Sequence, residues 1–245
     1  MELIDLATGR ITKLSAITTQ TSSGPEWSLD GRWLAVNTFD GHDWDVALVG
    51  TDSTGYRRLE TRSKADGCMD PSWAPSGKWL CCRSGGLWKV GTDGASTQLV
   101  GTEQLAKAIV SLPSDCSVSA DGETTIFETQ LLDEEVHWHT GGRPTLFATR
   151  APGDGAHRVG PDQFSARAPR FIDERRFLFL GFPLSAQNRS RLAKDDIPRT
   201  DLYLGTLDGG DAILLREGVR DFSVTKHRRL PSNPALNPTG LRPAG

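Results

Sequence analysis

No window of the sequence approaches the roughly 18 consecutive apolar residues of a membrane-spanning helix, so no helical span is expected. Positive charge is not in excess either. Lys and Arg total 28 against 31 Asp and Glu, a formal charge of −3, which gives no electrostatic hold on a phosphate backbone and argues against a nucleic-acid partner. Ala-, Leu- and Glu-rich stretches of helical period are nearly missing. The opening residues Met1-Glu2-Leu3-Ile4-Asp5 lack the basic stretch and apolar run of a secretory leader. There is no Gly-x-Ser-x-Gly elbow and no P-loop. The four cysteines, Cys68, Cys81, Cys82 and Cys116, form no Cys-x-x-Cys pair. Cys81 and Cys82 are adjacent in an apolar run, where a period of two sends them to opposite faces. Chains of this length seldom need a covalent staple, so ordinary free thiols are expected.

Turn-forming residues, by contrast, are plentiful: 26 Gly and 14 Pro in 245 residues favour many short strands in an all-β fold with a sizeable core. Self-comparison shows how those strands are organised. Pro25-Glu26-Trp27-Ser28-Leu29-Asp30-Gly31-Arg32-Trp33-Leu34 recurs 46 residues later as Pro71-Ser72-Trp73-Ala74-Pro75-Ser76-Gly77-Lys78-Trp79-Leu80. Two worn copies follow, Cys116-Ser117-Val118-Ser119-Ala120-Asp121-Gly122 and Pro169-Arg170-Phe171-Ile172-Asp173-Glu174. Each reads as a hairpin, because Asp-Gly and Ser-Gly supply the positive φ of a tight turn. A second hairpin follows each: residues 45–59, 87–100, 144–159 and 201–215. Two hairpins in about 45 residues make four antiparallel strands, the size of one β-propeller blade.

These residues carry a family resemblance. The Pro-x-Trp-Ser-x-Asp-Gly turn with its following Asp-Gly turn resembles the TolB-like, WD-like β-propeller repeat of TolB proteins, of prolyl-oligopeptidase-type propeller domains and of oligogalacturonate lyases. It runs from residue 2 to about 222 and implies blade geometry, with Pro25, Trp27, Asp30, Gly31, Pro71, Trp73, Gly77, Asp121, Gly122, Pro169 and Phe171 as structural repeat residues. Trp27 and Trp73 are expected to fill wedges between blades. The expected units lie near residues 2–15, 16–60, 61–100, 101–160 and 161–217. The first of these is a half blade, so the architecture is an all-β propeller of about four full blades and an N-terminal half blade.

Asp221-Phe222-Ser223-Val224 reads as the opening of a further unit, with no hairpin after it. Residues 226–245 hold four prolines and four basic side chains without an acid, so a disordered basic tail is expected. Two readings stay open: a five-bladed ring with a poorly closed last blade, or a segment of a propeller of six or more blades, which the lost period favours.

Strand order places the Asp-Gly turns on one rim and the longer, non-repeating loops on the other, where specificity is expected. His42-Asp43-Trp44 and His137-Trp138-His139 are the chemically richest stretches there. A metal bridging His137 and His139 with Asp133 or Glu135 lacks spaced third and fourth ligands. Stacking of the rings on a sugar or partner side chain fits better, and simple loop packing is the favoured alternative. The mixed-sign stretch Arg189 to Arg199 reads as a solvated loop.

The expected function is therefore a non-enzymatic scaffold that binds a protein or polysaccharide on the long-loop rim, without metal or cofactor. The alternative is the propeller portion of an enzyme, either a prolyl-oligopeptidase-type peptidase or an oligogalacturonate lyase. The resemblance implies frequent export, so the compartment is left between periplasm and cytoplasm.

Overall fold

The computed structural model describes residues 1–14, 20–21, 25–52, 55–59, 67–101, 103, 109, 111, 113–132, 142–194 and 196–224. Its hairpins begin with the turn chemistry of the repeat. Ser28 Oγ donates to Asp30 Oδ1 at 2.7 Å and accepts from the Trp33 N–H at 2.9 Å, closing the turn in which Gly31 has φ 71°. Ser119, Asp121 and Thr124 repeat the arrangement at 2.5 and 2.9 Å, with Gly122 at φ 80°. An L side chain strains at such angles, so Gly fixes where the chain reverses.

A short hairpin, β1 (Glu2–Ile4) and β2 (Ile11–Lys13), precedes four sheets. The first blade contains β3 (Gln20–Thr21), β4 (Glu26–Trp27), β5 (Trp33–Phe39), β6 (Trp44–Gly50) and β7 (Tyr56–Leu59); β3 and β4 both pair with β5, as one interrupted inner strand. The second is β8 (Met69–Trp73), β9 (Trp79–Arg83), β10 (Gly86–Gly91) and β11 (Ser96–Gly101). The third is β12 (Ser114–Val118), β13 (Thr125–Leu131), β14 (Arg143–Thr149) and β15 (His157–Val159). The fourth is β16 (Phe164–Phe171), β17 (Arg176–Pro183), β18 (Asp201–Thr206) and β19 (Ile213–Arg216). Every pairing is antiparallel, and apart from β3 with β5 each joins strands that are neighbours in sequence.

The core lies between blades, because the period of two splits each strand between two clusters. In β5 and β6, Ala35, Val46 and Leu48 face the second blade, whereas Leu34, Val36, Ala47 and Val49 face the β1–β2 hairpin with Met1 and Leu3. Leu80 and Cys82 face back to the first blade and Cys81 faces on to the third. Phe127 and Ile126 divide likewise between the second and fourth blades. Burial on both faces is why the second strands are continuous apolar runs. The expected partial propeller of four-stranded blades with an N-terminal half blade is thus the observed architecture.

Three expectations are corrected. The cysteines are not free thiols: Cys68 pairs with Cys82 and Cys81 with Cys116. The opposite facing of Cys81 and Cys82 is the physical reason, since it hands each sulfur to a different interblade cluster, where a further cysteine lies. Trp27 does not fill a wedge as Trp73 does. Trp73 is 7% exposed and donates its Nε1–H to the Glu26 carbonyl at 3.1 Å, but Trp27, which among the described residues has only the β1–β2 hairpin on its side of the first blade, is 52% exposed. Finally, the stretch after Pro183 contains α1 (Ala186–Leu192), capped by Ser185, and Leu192 is buried against Phe182 and Leu184. In that stretch Arg191 pairs with Asp196 at 2.7 Å.

Candidate functional site

The inner strands converge on a cavity of about 580 Å³. It lies at the turn-bearing end of the central channel, since Ser28, Leu29, Ala74 and Pro75 lead from β4 and β8 into their turns. One repeat position supplies much of its polar wall: Glu26, Ser72, Ser117, Arg170 and Asp221 each precede the aromatic position of their unit. Trp27, Trp73, Phe171 and Phe222 supply the apolar wall. Two hydrogen bonds hold this lining between blades, one from Trp73 to the Glu26 carbonyl and one from the Phe171 N–H to Ser117 Oγ at 3.1 Å. An aromatic concavity with charges of both signs suits an extended polymer with apolar and polar groups, such as a peptide. Residues 221–224, expected only to open a further unit, complete this wall.

A polar collar surrounds the other end of the inner strands. Asp70, Asp115 and Ala168 have φ of 53°, 40° and 52°, each at a β-bulge where the register of the inner strand shifts. Left-handed geometry costs a non-Gly residue roughly 1 kcal/mol or more, and at Asp70 and Ala168 a hydrogen bond from the preceding blade offsets it. Asn37 Oδ1 accepts from the Asp70 N–H and Glu128 Oε2 from the Ala168 N–H, both at 3.1 Å. Arg83, at the equivalent place on the second strand of its own blade, bonds Asp70 Oδ2 at 2.5 Å. The sequence carries a signal for this collar: Asn37, Arg83 and Glu128 are polar, spaced by the repeat, and sit in otherwise apolar strands.

Burial pushes the Glu128 carboxyl up to about 7; the Ala168 N–H and the charges of Arg167 and Arg170 oppose this, and Asp115 adds to it. The folded state therefore holds a proton that the unfolded chain releases near 4.5. Its stabilising contribution is complete below about pH 4.5 and lost as pH rises through about 7. Glu128→Gln keeps an oxygen for Ala168 and carries no charge. It is expected to stabilise the protein by about 2 kcal/mol at pH 8 and to leave it unchanged at pH 4, as read from urea midpoints.

The residues singled out in the sequence are placed as follows. His42 and Asp43 are exposed in the turn between β5 and β6, and their N–H groups donate to Asp40 Oδ1 at 2.8 and 2.9 Å. Those donors, with Arg58, hold the Asp40 carboxyl down at about 2. Arg58 also bridges to Asp45, whose carboxyl burial pushes up. Trp44 is half-buried and packs on Phe39, its cross-strand partner, with ring centroids 5.1 Å apart. His137, Trp138 and His139, with Asp133 and Glu135, lie outside the described residues, so their expected place on one rim with His42 and Trp44 is not tested. Among the described residues no group of three or more His, Cys, Asp or Glu could hold a metal ion, and no helix is long and apolar enough to cross a membrane.

No family model and no curated protein matches the sequence. Solved structures do match by fold. A TolB structure from Agrobacterium tumefaciens aligns with 87% of this chain and 86% of its own, at 14% identity and a TM-score of 0.51. A puromycin-hydrolyzing peptidase from Mycobacterium tuberculosis aligns with 85% of this chain and 33% of its own, at 14% identity and a TM-score of 0.56. An oligogalacturonate lyase from Vibrio parahaemolyticus aligns over 85% of this chain and 69% of its own, at 10% identity and a TM-score of 0.45.

Proposed function

Starting from a TolB-like β-propeller fold, we propose that this protein is a non-enzymatic binding scaffold whose partner is an extended protein segment held at the turn-bearing mouth of the channel. The observation that carries this reading is the half-exposed Trp27 indole in a cavity shared by Trp73, Phe171 and Phe222. Exposed aromatic anchors in concave sites dominate binding energies. The competing proposal is the long-loop rim, to which strand order in the sequence assigns His42, Asp43, Trp44, His137, Trp138 and His139, with a protein or polysaccharide as its ligand.

A random heptapeptide array distinguishes the two. Peptides retained by the chain are expected to lose at least tenfold in affinity on Trp27→Ala and to keep it on Trp44→Ala and Trp138→Ala. Loss on the last two variants alone moves the site to the long-loop rim, and an array that retains nothing refutes peptide binding.

The two disulfides fit an oxidising compartment, which supports a periplasmic over a cytoplasmic setting. A second reading draws on the peptidase likeness, in which the chain spans a third of a longer protein. There the scaffold would be the propeller portion of a hydrolase, and a catalytic domain in the same reading frame is its test.

A further inference from the structure

A second cavity, of about 300 Å³, opens on the turn-bearing rim between the first and second blades. It shares only Ser28 with the channel cavity and is independent of the peptide reading. We propose that it binds a small aromatic carboxylate, whose ring lies on the Trp33 indole and whose carboxylate is held by the Arg57 guanidinium.

Both blades build the site from their turns. Asp30 and Arg32 belong to the turn between β4 and β5, Gly77 to that between β8 and β9, and Thr92 to that between β10 and β11. The floor is apolar, because Trp33 and Leu48 lie on the face of the first blade that is turned to the second. The far end of the indole rests on Gly55, where an added Cβ would come within 3.3 Å of it, so backbone rather than a movable side chain fixes the ring on that side. The volume is at the lower end for small-molecule sites and suits one ring with a short acidic arm.

The charges of the wall are not balanced. Ser28 Oγ, the Arg32 N–H and the Arg32 guanidinium all donate to Asp30 and hold its carboxyl at about 2, so Asp30 and Arg32 cancel at every ordinary pH. Arg57 is different. Its Nη1 donates to the Thr92 carbonyl across the blade boundary, and among the described residues no carboxylate pairs with it. That bond occupies one of five N–H donors and holds the guanidinium at the cavity wall before a ligand arrives.

The repeat decides the sign of the ligand. Trp79 holds the place of Trp33 in the second blade, and there Lys89 puts its Nζ 4.6 Å from the ring centroid. Because Trp33 pairs with Gly50 and Trp79 with Gly91, Leu48 is the counterpart of Lys89, and the third strand brings no ammonium to Trp33. Arg57 is likewise the counterpart of Thr97, so the cation of this boundary comes from the fourth strand and is tied to Thr92. A second cation on the indole would be repelled by Arg57. A flat ring carrying a carboxylate satisfies both groups, by stacking on the indole and by a charge-assisted hydrogen bond to the guanidinium.

Calorimetric titration with phenylacetate, phenylacetamide and acetate tests the assignment. Phenylacetate is expected to bind at least about tenfold more tightly than the other two, since the amide lacks the charge and acetate lacks the ring. Arg57→Gln, at an exposed position on an outer strand, should leave Tm unchanged and lower phenylacetate to the affinity of phenylacetamide, whose own binding stays the same. Amide shifts caused by phenylacetate should centre on Gly77 and Thr92. Trp27→Ala, in the channel cavity, should leave both the affinity and the shifts alone, so failure of the peptide reading does not carry over to this one. No binding of phenylacetate, or equal binding of phenylacetate and either control, would overturn the proposal. So would a preference that survives Arg57→Gln, or binding that is lost with Trp27→Ala.

Discussion

Trp73→Ala is expected to lower the unfolding free energy by about 3–5 kcal/mol, and Trp27→Ala by only about 1, although the two tryptophans hold the same place in the repeat. Trp73 packs with Ala35, Val46, Leu48 and Leu59 across the boundary between the first two blades and donates to the Glu26 carbonyl. Its truncation removes that contact area, leaves a cavity that neighbouring β-sheets cannot close, and orphans an acceptor. Trp27 borders open space, so water enters where the ring was and no sealed void forms. Urea midpoints for the two variants, with unchanged slopes, measure the difference. Equal losses would mean that the space beside Trp27 is filled in the folded protein.

Loss of the Cys81–Cys116 disulfide is expected to cost about 4 kcal/mol and loss of Cys68–Cys82 about 3, since the bonds close loops of 35 and 14 residues and loop-closure entropy grows slowly with length. The two bonds leave adjacent residues of β9 in opposite directions. Cys82 ties its blade to the segment just before β8 within the cluster facing the first blade, and Cys81 ties it to β12 within the cluster facing the third. All four sulfurs are buried, so a reductant should act slowly on the native protein and quickly in urea. Cys116→Ser should therefore shift the urea midpoint further than Cys68→Ser. Thiol titration of the unreduced, unfolded wild type should find no free thiol, and four would restore the free-thiol expectation.

The repeated residues made the blades legible before any coordinates. A period-two apolar pattern and a turn that demands positive φ are local properties, so the spacing from Trp27 to Trp73 carried strand number, strand order and the existence of a half blade. The cysteine pairing was not legible. Spacing along the chain says nothing about which sulfur lies across a blade boundary, although the opposite facing of Cys81 and Cys82 was already the reason that each has its own partner. The channel cavity is not legible from residues that break the repeat, such as His42 and Trp44, because its lining comes from residues that keep it. Glu26, Ser72, Ser117, Arg170 and Asp221 look unrelated in sequence and gain a common meaning only when the ring brings their positions together.

The sequence by itself determined the class of fold, the hairpin boundaries and the two faces of each strand, because turn geometry and alternation act over a few residues. Tertiary structure alone decided which equivalent residues are buried, which cysteines join and what lines the channel. Those outcomes depend on the blade next door, and the same Trp in the same repeat is core at position 73 and half-exposed at position 27 because, among the described residues, only Trp73 has a complete blade on the side it faces.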